Sequence, residues 1–252
     1  MSEVKQPHIR CGLADGAKYA ILPGDPARVD RVKQFLDDPV DIAFNREYKS
    51  CRGSYKGVRV LVMSTGIGGP SAGIAVEELR NIGVETLIRI GSCGALQKHL
   101  KLGDLIIASG AVRDDGASRA YIDERYPAIP DPELLGALME TARARQYPHH
   151  CGIVHSHDSF YTDQEAASSY FWSQRGVLGA DMESAALFVI GGLRKLKTAS
   201  ILNVIVELSG DLEHGINDYV DGESQTAIGE RNEILTALEA IVRLESRKDV
   251  TA

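Results

Sequence analysis

Arg89 is the residue whose placement most needs a chemical explanation. It stands in Leu87-Ile88-Arg89-Ile90-Gly91-Ser92-Cys93-Gly94-Ala95, a permanent cation in an apolar run that leads into glycines and small residues. A buried guanidinium demands a partner. Two arrangements would satisfy it: a structural carboxylate, or an anion held by the guanidinium fork and by backbone N–H groups in a tight glycine turn. A second cation, Arg28, follows Gly24-Asp25-Pro26. Asp25 is a good N-cap and Pro26 a good first helical residue, so Arg28 falls in a first turn, where the helix dipole favours an acid over a base. A strand, a glycine turn and a helix start together make an anion pocket. The third stretch is Ser64-Thr65-Gly66-Ile67-Gly68-Gly69-Pro70-Ser71, again between a strand and a helix. It is neither G-x-G-x-x-G nor a P-loop, because no Lys-Ser/Thr follows. Its glycines let a polar ligand approach the backbone closely, although a plain strand-to-helix connection fits the spacing equally well.

These stretches fall at regular places in the pattern. Tyr19–Leu22 reads as a strand. Asp41–Val62 reads as a hairpin that turns at Tyr55-Lys56-Gly57, with Arg46 and Glu47 on its first arm. Further strands are expected at Leu87–Ile90, Leu105–Ala108, Gly152–Val154 and Lys197–Val206. Helices are expected at Ala72–Asn81, Pro132–Arg145, Ala185–Gly192 and Gly222–Ser246 from apolar periodicity. Arg113–Pro130 reads as a long irregular loop, a kind of segment that is often functional. Strands alternate with helices, without a linker or an internal repeat, which predicts one α/β domain over residues 1–252 built on a central mixed sheet. Candidate ligand residues recur just after strands, at Gly24–Arg28, Ser64–Gly69, Gly91–Gly94 and Phe160–Gln164. In open α/β sheets the carboxyl ends of the strands form the binding crevice.

Composition narrows the function. The chain has 252 residues, 44% hydrophobic and 25% charged, with a formal net charge of −7. No basic run suggests nucleic acid, so an anion site must concentrate arginines locally. The 4 cysteines, Cys11, Cys51, Cys93 and Cys151, show no CxxC. Neither a disulfide scaffold nor a zinc site is expected, and a reducing cytoplasm fits. His155 and His157 lack a third clear ligand, so no metal site is expected there. The first residues carry no apolar leader, and no run is long enough to span a membrane.

Gly24-Asp25-Pro26-Ala27-Arg28, Arg46-Glu47, the Ser64–Ser71 loop, Arg89–Ala95 and Asp181-Met182-Glu183-Ser184 together resemble the nucleoside phosphorylase family that includes uridine phosphorylase. The likeness runs from His8 to the C-terminal helix. It implies an α/β/α sandwich with a distorted mixed, partly barrel-like sheet, and an assembly of dimers, commonly trimers of dimers. It implies that a nucleoside and inorganic phosphate give a free base and ribose 1-phosphate, with no other cofactor. Phosphate is itself the nucleophile, and guanidinium forks suit its oxygens. By resemblance, Gly24, Arg28, Arg89 and Ser92 hold it, joined by Arg46 of a neighbouring subunit. Cleavage develops oxocarbenium character on the ribose, which a phosphate dianion below the ring would stabilise. Glu183 would accept from ribose hydroxyls, with Met182 against the sugar and Thr65 and Gly66 lining the nucleoside. His8 of a neighbour would meet the 5′-hydroxyl. Phe160 and Gln164 match the base-stacking and uracil-reading positions, and Gln both donates and accepts.

Base specificity is divided. Uridine-specific members carry Arg two positions after the glutamine, where this chain has Ala166. Purine-specific members carry a catalytic Asp after the last long strand, where Ile205-Val206 falls here, with Glu207 and Asp211 nearby. Uridine is favoured; inosine or guanosine is the alternative, and a nucleosidase or a non-catalytic nucleoside-binding protein is a further one. Glu47, Ile67 and Ser71 match positions where some members hold a monovalent cation; the simpler reading of Glu47 is that it orients Arg46.

Overall fold

The strand β1, Tyr19–Pro23, is buried along its whole length, as a strand covered on both faces must be. In the computed structural model, which describes residues 4–210 and 224–251, it is the parallel neighbour of β4 (Val58–Met63) and β5 (Thr86–Ala95). Their side chains alternate between two cores. Ala20, Leu22, Leu61, Met63 and Leu87 point toward α2 (Gly69–Asn81) and α6 (Ser184–Leu193). Tyr19, Ile21, Val60, Val62, Ile88 and Ile90 point toward α1 (Pro26–Lys33), α4 (Pro132–Ala144) and α7 (Ser224–Thr251). Two helix layers thus enclose one sheet, the three-layer arrangement expected.

The sheet runs β2-β3-β4-β1-β5-β8-β7-β6-β9, with β5 also paired to β9. Here β6 is Leu105–Asp114, β7 His149–His157, β8 Gly179–Asp181 and β9 Lys197–Val206. The β5–β9 pairing closes five strands into a ring, and four more extend from it as an open sheet. That is the partly barrel-like mixed sheet.

Three expectations change. The Asp41–Val62 hairpin is three strands: β2 (Asp37–Asn45), β3 (Tyr48–Tyr55) and β4. Arg46 and Glu47 form the β2–β3 turn rather than lying on an arm, and Arg46 has φ 55°. A non-glycine residue in the left-handed region is uncommon, so the sequence gives little sign of this turn. The stretch after Arg89 is not a glycine turn, because β5 continues through Ala95 and neither Gly91 nor Gly94 has positive φ. The Arg113–Pro130 stretch is also more ordered than a loop. It contains the end of β6 and α3 (Gly116–Tyr121). The buried Arg113 guanidinium ties it together, donating to the carbonyls of Ser118, Ile122, Asp123 and Tyr126. Among the described residues no helix is long and apolar enough to cross a membrane, and no His/Cys/Asp/Glu group could hold a metal ion.

Candidate active site

Because β1, β4 and β5 are parallel, their carboxyl ends share one edge. Leu22 pairs with Arg89 and Pro23 with Ile90. Beyond the strands, Thr65 N donates to the Pro23 carbonyl at 2.9 Å and Gly66 N to that of Gly24 at 3.0 Å. This pins the Ser64–Gly69 loop beside the Gly24 turn. Gly66 has φ 69°, and a Cβ there would lie 2.6 Å from Glu47 Cγ, so the loop needs glycine for both conformation and space.

Arg89 projects toward the α2/α6 side, with Leu87, and is 5% exposed. Its Nε donates to Asp181 Oδ2 at 3.0 Å. Its Nη2 meets Glu183 Oε2 at 2.5 Å. Nη1 is buried and has no hydrogen-bond partner among the described residues; it lies 3.9 Å from where a Cβ on Gly24 would stand. The structural-carboxylate reading of the buried cation is thus met on two edges of the fork, and the third edge faces the Gly24 turn as a donor without a partner among the described residues. Leaving such a donor buried costs about 1–3 kcal/mol, a cost that an anion beside Gly24 would remove.

The carboxylates are themselves fixed. Asp181 Oδ2 also accepts from Ser184 N and Oγ at 3.0 and 2.7 Å, and Oδ1 accepts from Ser156 Oγ at 2.5 Å. Glu183 Oε1 accepts from Gly68 N at 2.6 Å, which ties the start of α6 to the glycine loop. Burial raises the Glu183 carboxyl above its ordinary range, opposed by Arg89 and reinforced by Asp181. The Cys93 thiol is pushed far up by burial, which makes it no nucleophile.

Gly91 now has a reason. A Cβ there would stand 2.6 Å from Arg89 Nη2 and 3.0 Å from Leu202 Cδ2. Because Asp181 and Glu183 clamp the guanidinium, it has little freedom to give way. Gly91→Ala is expected to leave the protein folded and to raise KM for the anionic substrate about tenfold, since overpacking costs about 1–3 kcal/mol. Unchanged kinetics would show that the guanidinium position does not matter.

Arg28 is 2% exposed. Asp25 caps its helix, accepting from Ala27 N at 2.8 Å. Arg28 Nε donates to Glu230 Oε2 at 2.9 Å, and Nη1 donates to the Ile90 carbonyl at 3.1 Å. Glu230 and Glu233 were missed in the sequence, as was the clamping role of Asp181. The signal for the pair was there: they lie in phase with Ala237, Leu238 and Ile241 on the buried face of α7, where a carboxylate needs a cation.

The remaining residues lie further apart. Ser92 is half-buried on β5, opposite Asn203. Met182 is half-buried between Asp181 and Glu183. Phe160 meets Tyr161 edge-on at 5.0 Å. Gln164 is exposed at the start of α5 (Glu165–Ser173), and Ala166 is exposed in its first turn. Glu207 pairs with Lys101 at 3.3 Å, and Asp211 lies outside the described residues. His8 is held on α2, its Nδ1 2.6 Å from Glu78 Oε1 and its carbonyl accepting from Asn45 Nδ2; it is not a loose terminal residue. Arg46 is exposed at the tip of its turn. Neither His8 nor Arg46 bonds to the Arg89 cluster within the described residues. Glu47 accepts from Ser71 Oγ at 2.5 Å, which lowers its carboxyl pKa, while Ile67 is exposed.

The chain has known relatives. The sequence profile of the phosphorylase superfamily matches residues 18–239. The chain belongs to that family. It is 43% identical over 214 residues to a uridine phosphorylase of Thermococcus kodakarensis, covering 80% of this chain and 77% of the relative. It is 39% identical over 221 residues to a guanosine phosphorylase of Halorubrum lacusprofundi, covering 88% and 90%. The crystal structure of uridine phosphorylase from Vibrio fischeri superposes on this chain with TM-score 0.90 and 44% identity, over 96% of this chain and 99% of that one.

Proposed function

We propose that the protein is a nucleoside phosphorylase that cleaves uridine with inorganic phosphate, giving uracil and ribose 1-phosphate. The observation that carries this reading is the buried, unmet Nη1 of Arg89 facing the Gly24 turn. Phosphate there, with Gly24, Arg28, Arg89 and Ser92 around it, lies next to Glu183, whose carboxyl is anchored by Gly68 and aligned by Arg89. The phosphate attacks the anomeric carbon, the bond to the base breaks, and the base leaves with the bonding pair. Glu183 orients the ribose hydroxyls, with Met182, Thr65 and Gly66 about the sugar. Phe160 and Gln164 take the base. No cofactor beyond phosphate is required.

Residues 1–252 act as one domain. Arg46 is exposed and has no carboxylate within ion-pair distance among the described residues, and Phe44 and Ile67 are 66% and 78% exposed. That arrangement supports a homo-oligomer built from dimers, with a hexamer as the full assembly, in which Arg46 and His8 complete a neighbour's site. The 4 described cysteines are free thiols, which suits the cytoplasm.

A purine nucleoside is the second reading, favoured by Ala166 in place of an arginine donor and by the guanosine phosphorylase relative. Against it, Glu207 is engaged by Lys101. Incubating the protein with uridine, thymidine, inosine, guanosine or adenosine, with and without phosphate, tests both. Phosphate-dependent release of uracil is the expected result. Release of guanine or hypoxanthine instead would transfer the assignment to purines, and release independent of phosphate would replace phosphorolysis with hydrolysis.

A further inference from the structure

Glu233 is fully buried on α7, directly behind the two arginines of the proposed phosphate site. Its Oε2 accepts from Gly91 N at 3.2 Å, so it touches the strand that carries Arg89. Its Oε1 has no hydrogen-bond partner among the described residues and stands 3.6 Å from Arg28 Nη1, within ion-pair reach but too far for a hydrogen bond. The other acid near Arg28, Glu230, is served quite differently: it takes the Nε of Arg28 and is bridged by Arg31. Glu230 is thus served by two guanidinium groups, whereas Glu233 receives a single N–H, from Gly91, and faces Arg28 across 3.6 Å. A charged carboxyl removed from water needs several donors, and Glu233 has one.

The groups facing Glu233 are Arg28 from α1, Arg89 and Cys93 from β5, and Glu230 from its own helix. Burial and Glu230 push its carboxyl up, Arg28 and Arg89 pull it down, and the balance raises it to about 8.

We propose that Glu233 is a positioning residue for phosphate: it keeps its proton while phosphate is bound, so that Arg28 can serve the phosphate, and once the proton is lost the carboxylate claims Arg28 and phosphate binding weakens. It acts through Arg28 and the Gly91 backbone, without touching the substrate. The inference rests on the phosphate-site reading given above.

The test is KM for phosphate against pH. Phosphate itself is almost wholly dianionic above pH 8, so a change there belongs to the protein. In the parent enzyme KM for phosphate is expected to rise about tenfold between pH 7.5 and 9.5, with kcat changing much less. Glu233→Gln keeps an acceptor for Gly91 N and is neutral at every pH. It should bind phosphate at pH 7.5 and show a flat KM to pH 9.5, a rescue that a merely structural role would not produce. Calorimetry on the parent protein is independent of the variant's folding. At pH 8.5, in buffers of different ionisation heat, binding of inorganic phosphate should take up at least about half a proton per site. A pH profile shared by parent and Glu233→Gln, or no proton uptake, overturns the role of Glu233 while leaving the phosphate site standing. Failure of phosphate to bind at pH 7.5 overturns both.

Discussion

Arg89→Ala is expected to lower kcat/KM for phosphorolysis about a thousandfold, the scale on which a preorganised charged donor in a closed site acts. Three groups lose their common partner. The unmet Nη1 no longer faces the Gly24 turn, and Asp181 and Glu183 no longer have a cation between them. Arg89 is what holds the Glu183 carboxyl down against burial and Asp181, so in the variant Glu183 rises further and tends to be neutral. An acid whose pKa is raised by folding stabilises the fold only while it keeps its proton. The melting temperature of the variant should therefore fall as pH rises above the ordinary carboxylate range. Arg89→Lys separates charge from shape. A lysine ammonium cannot serve Asp181, Glu183 and the Gly24 side at once, so it should fold better than the alanine variant and still lose most activity. Near-parental turnover in either variant would remove Arg89 from the site.

The sheet edge was legible in the sequence because its signals are local. The buried run of β1, the Asp25-Pro26 helix start and the glycines after β4 each report on their own backbone, and the structure keeps all three. Gly91 was legible only as a glycine. Its reason is steric relief of a side chain two residues away, which composition cannot distinguish from a turn. The Arg46-Glu47 turn was hidden because its left-handed residue is an arginine. The carboxylates around the arginines were hidden by distance along the chain. Asp181 lies 92 residues from Arg89, and Glu230 lies 202 from Arg28. That a buried arginine must have a partner follows from physical chemistry, whereas which acid supplies it is decided only by how β8 and α7 fold back on β5 and α1.

Asp181 is the tightest knot in that arrangement, and Asp181→Ala should be the most destabilising single change at the site. Its two oxygens accept from Arg89 Nε, Ser184 N, Ser184 Oγ and Ser156 Oγ. Alanine removes the acceptor of all four, one of them charged, and only Ser184 Oγ has another hydroxyl, Ser200 Oγ, at hand. Breaking a buried pair on one side costs about 3–5 kcal/mol, which for a chain of this size lowers the melting temperature on the order of 10 °C. The catalytic loss has a different cause. Without Asp181, Glu183 is the only carboxylate on the Arg89 fork, so the guanidinium rotates toward it and carries Nη1 away from Gly24. Asp181→Asn keeps the volume and one acceptor and removes the charge. It should regain much of the stability, yet still raise KM for phosphate about tenfold or more, because Nε loses its anionic anchor. Thermal melts and phosphate kinetics on the two variants separate these effects. If asparagine restores both melting temperature and KM, Asp181 is a packing and capping residue at the start of α6, and Arg89 is aimed by Glu183 alone.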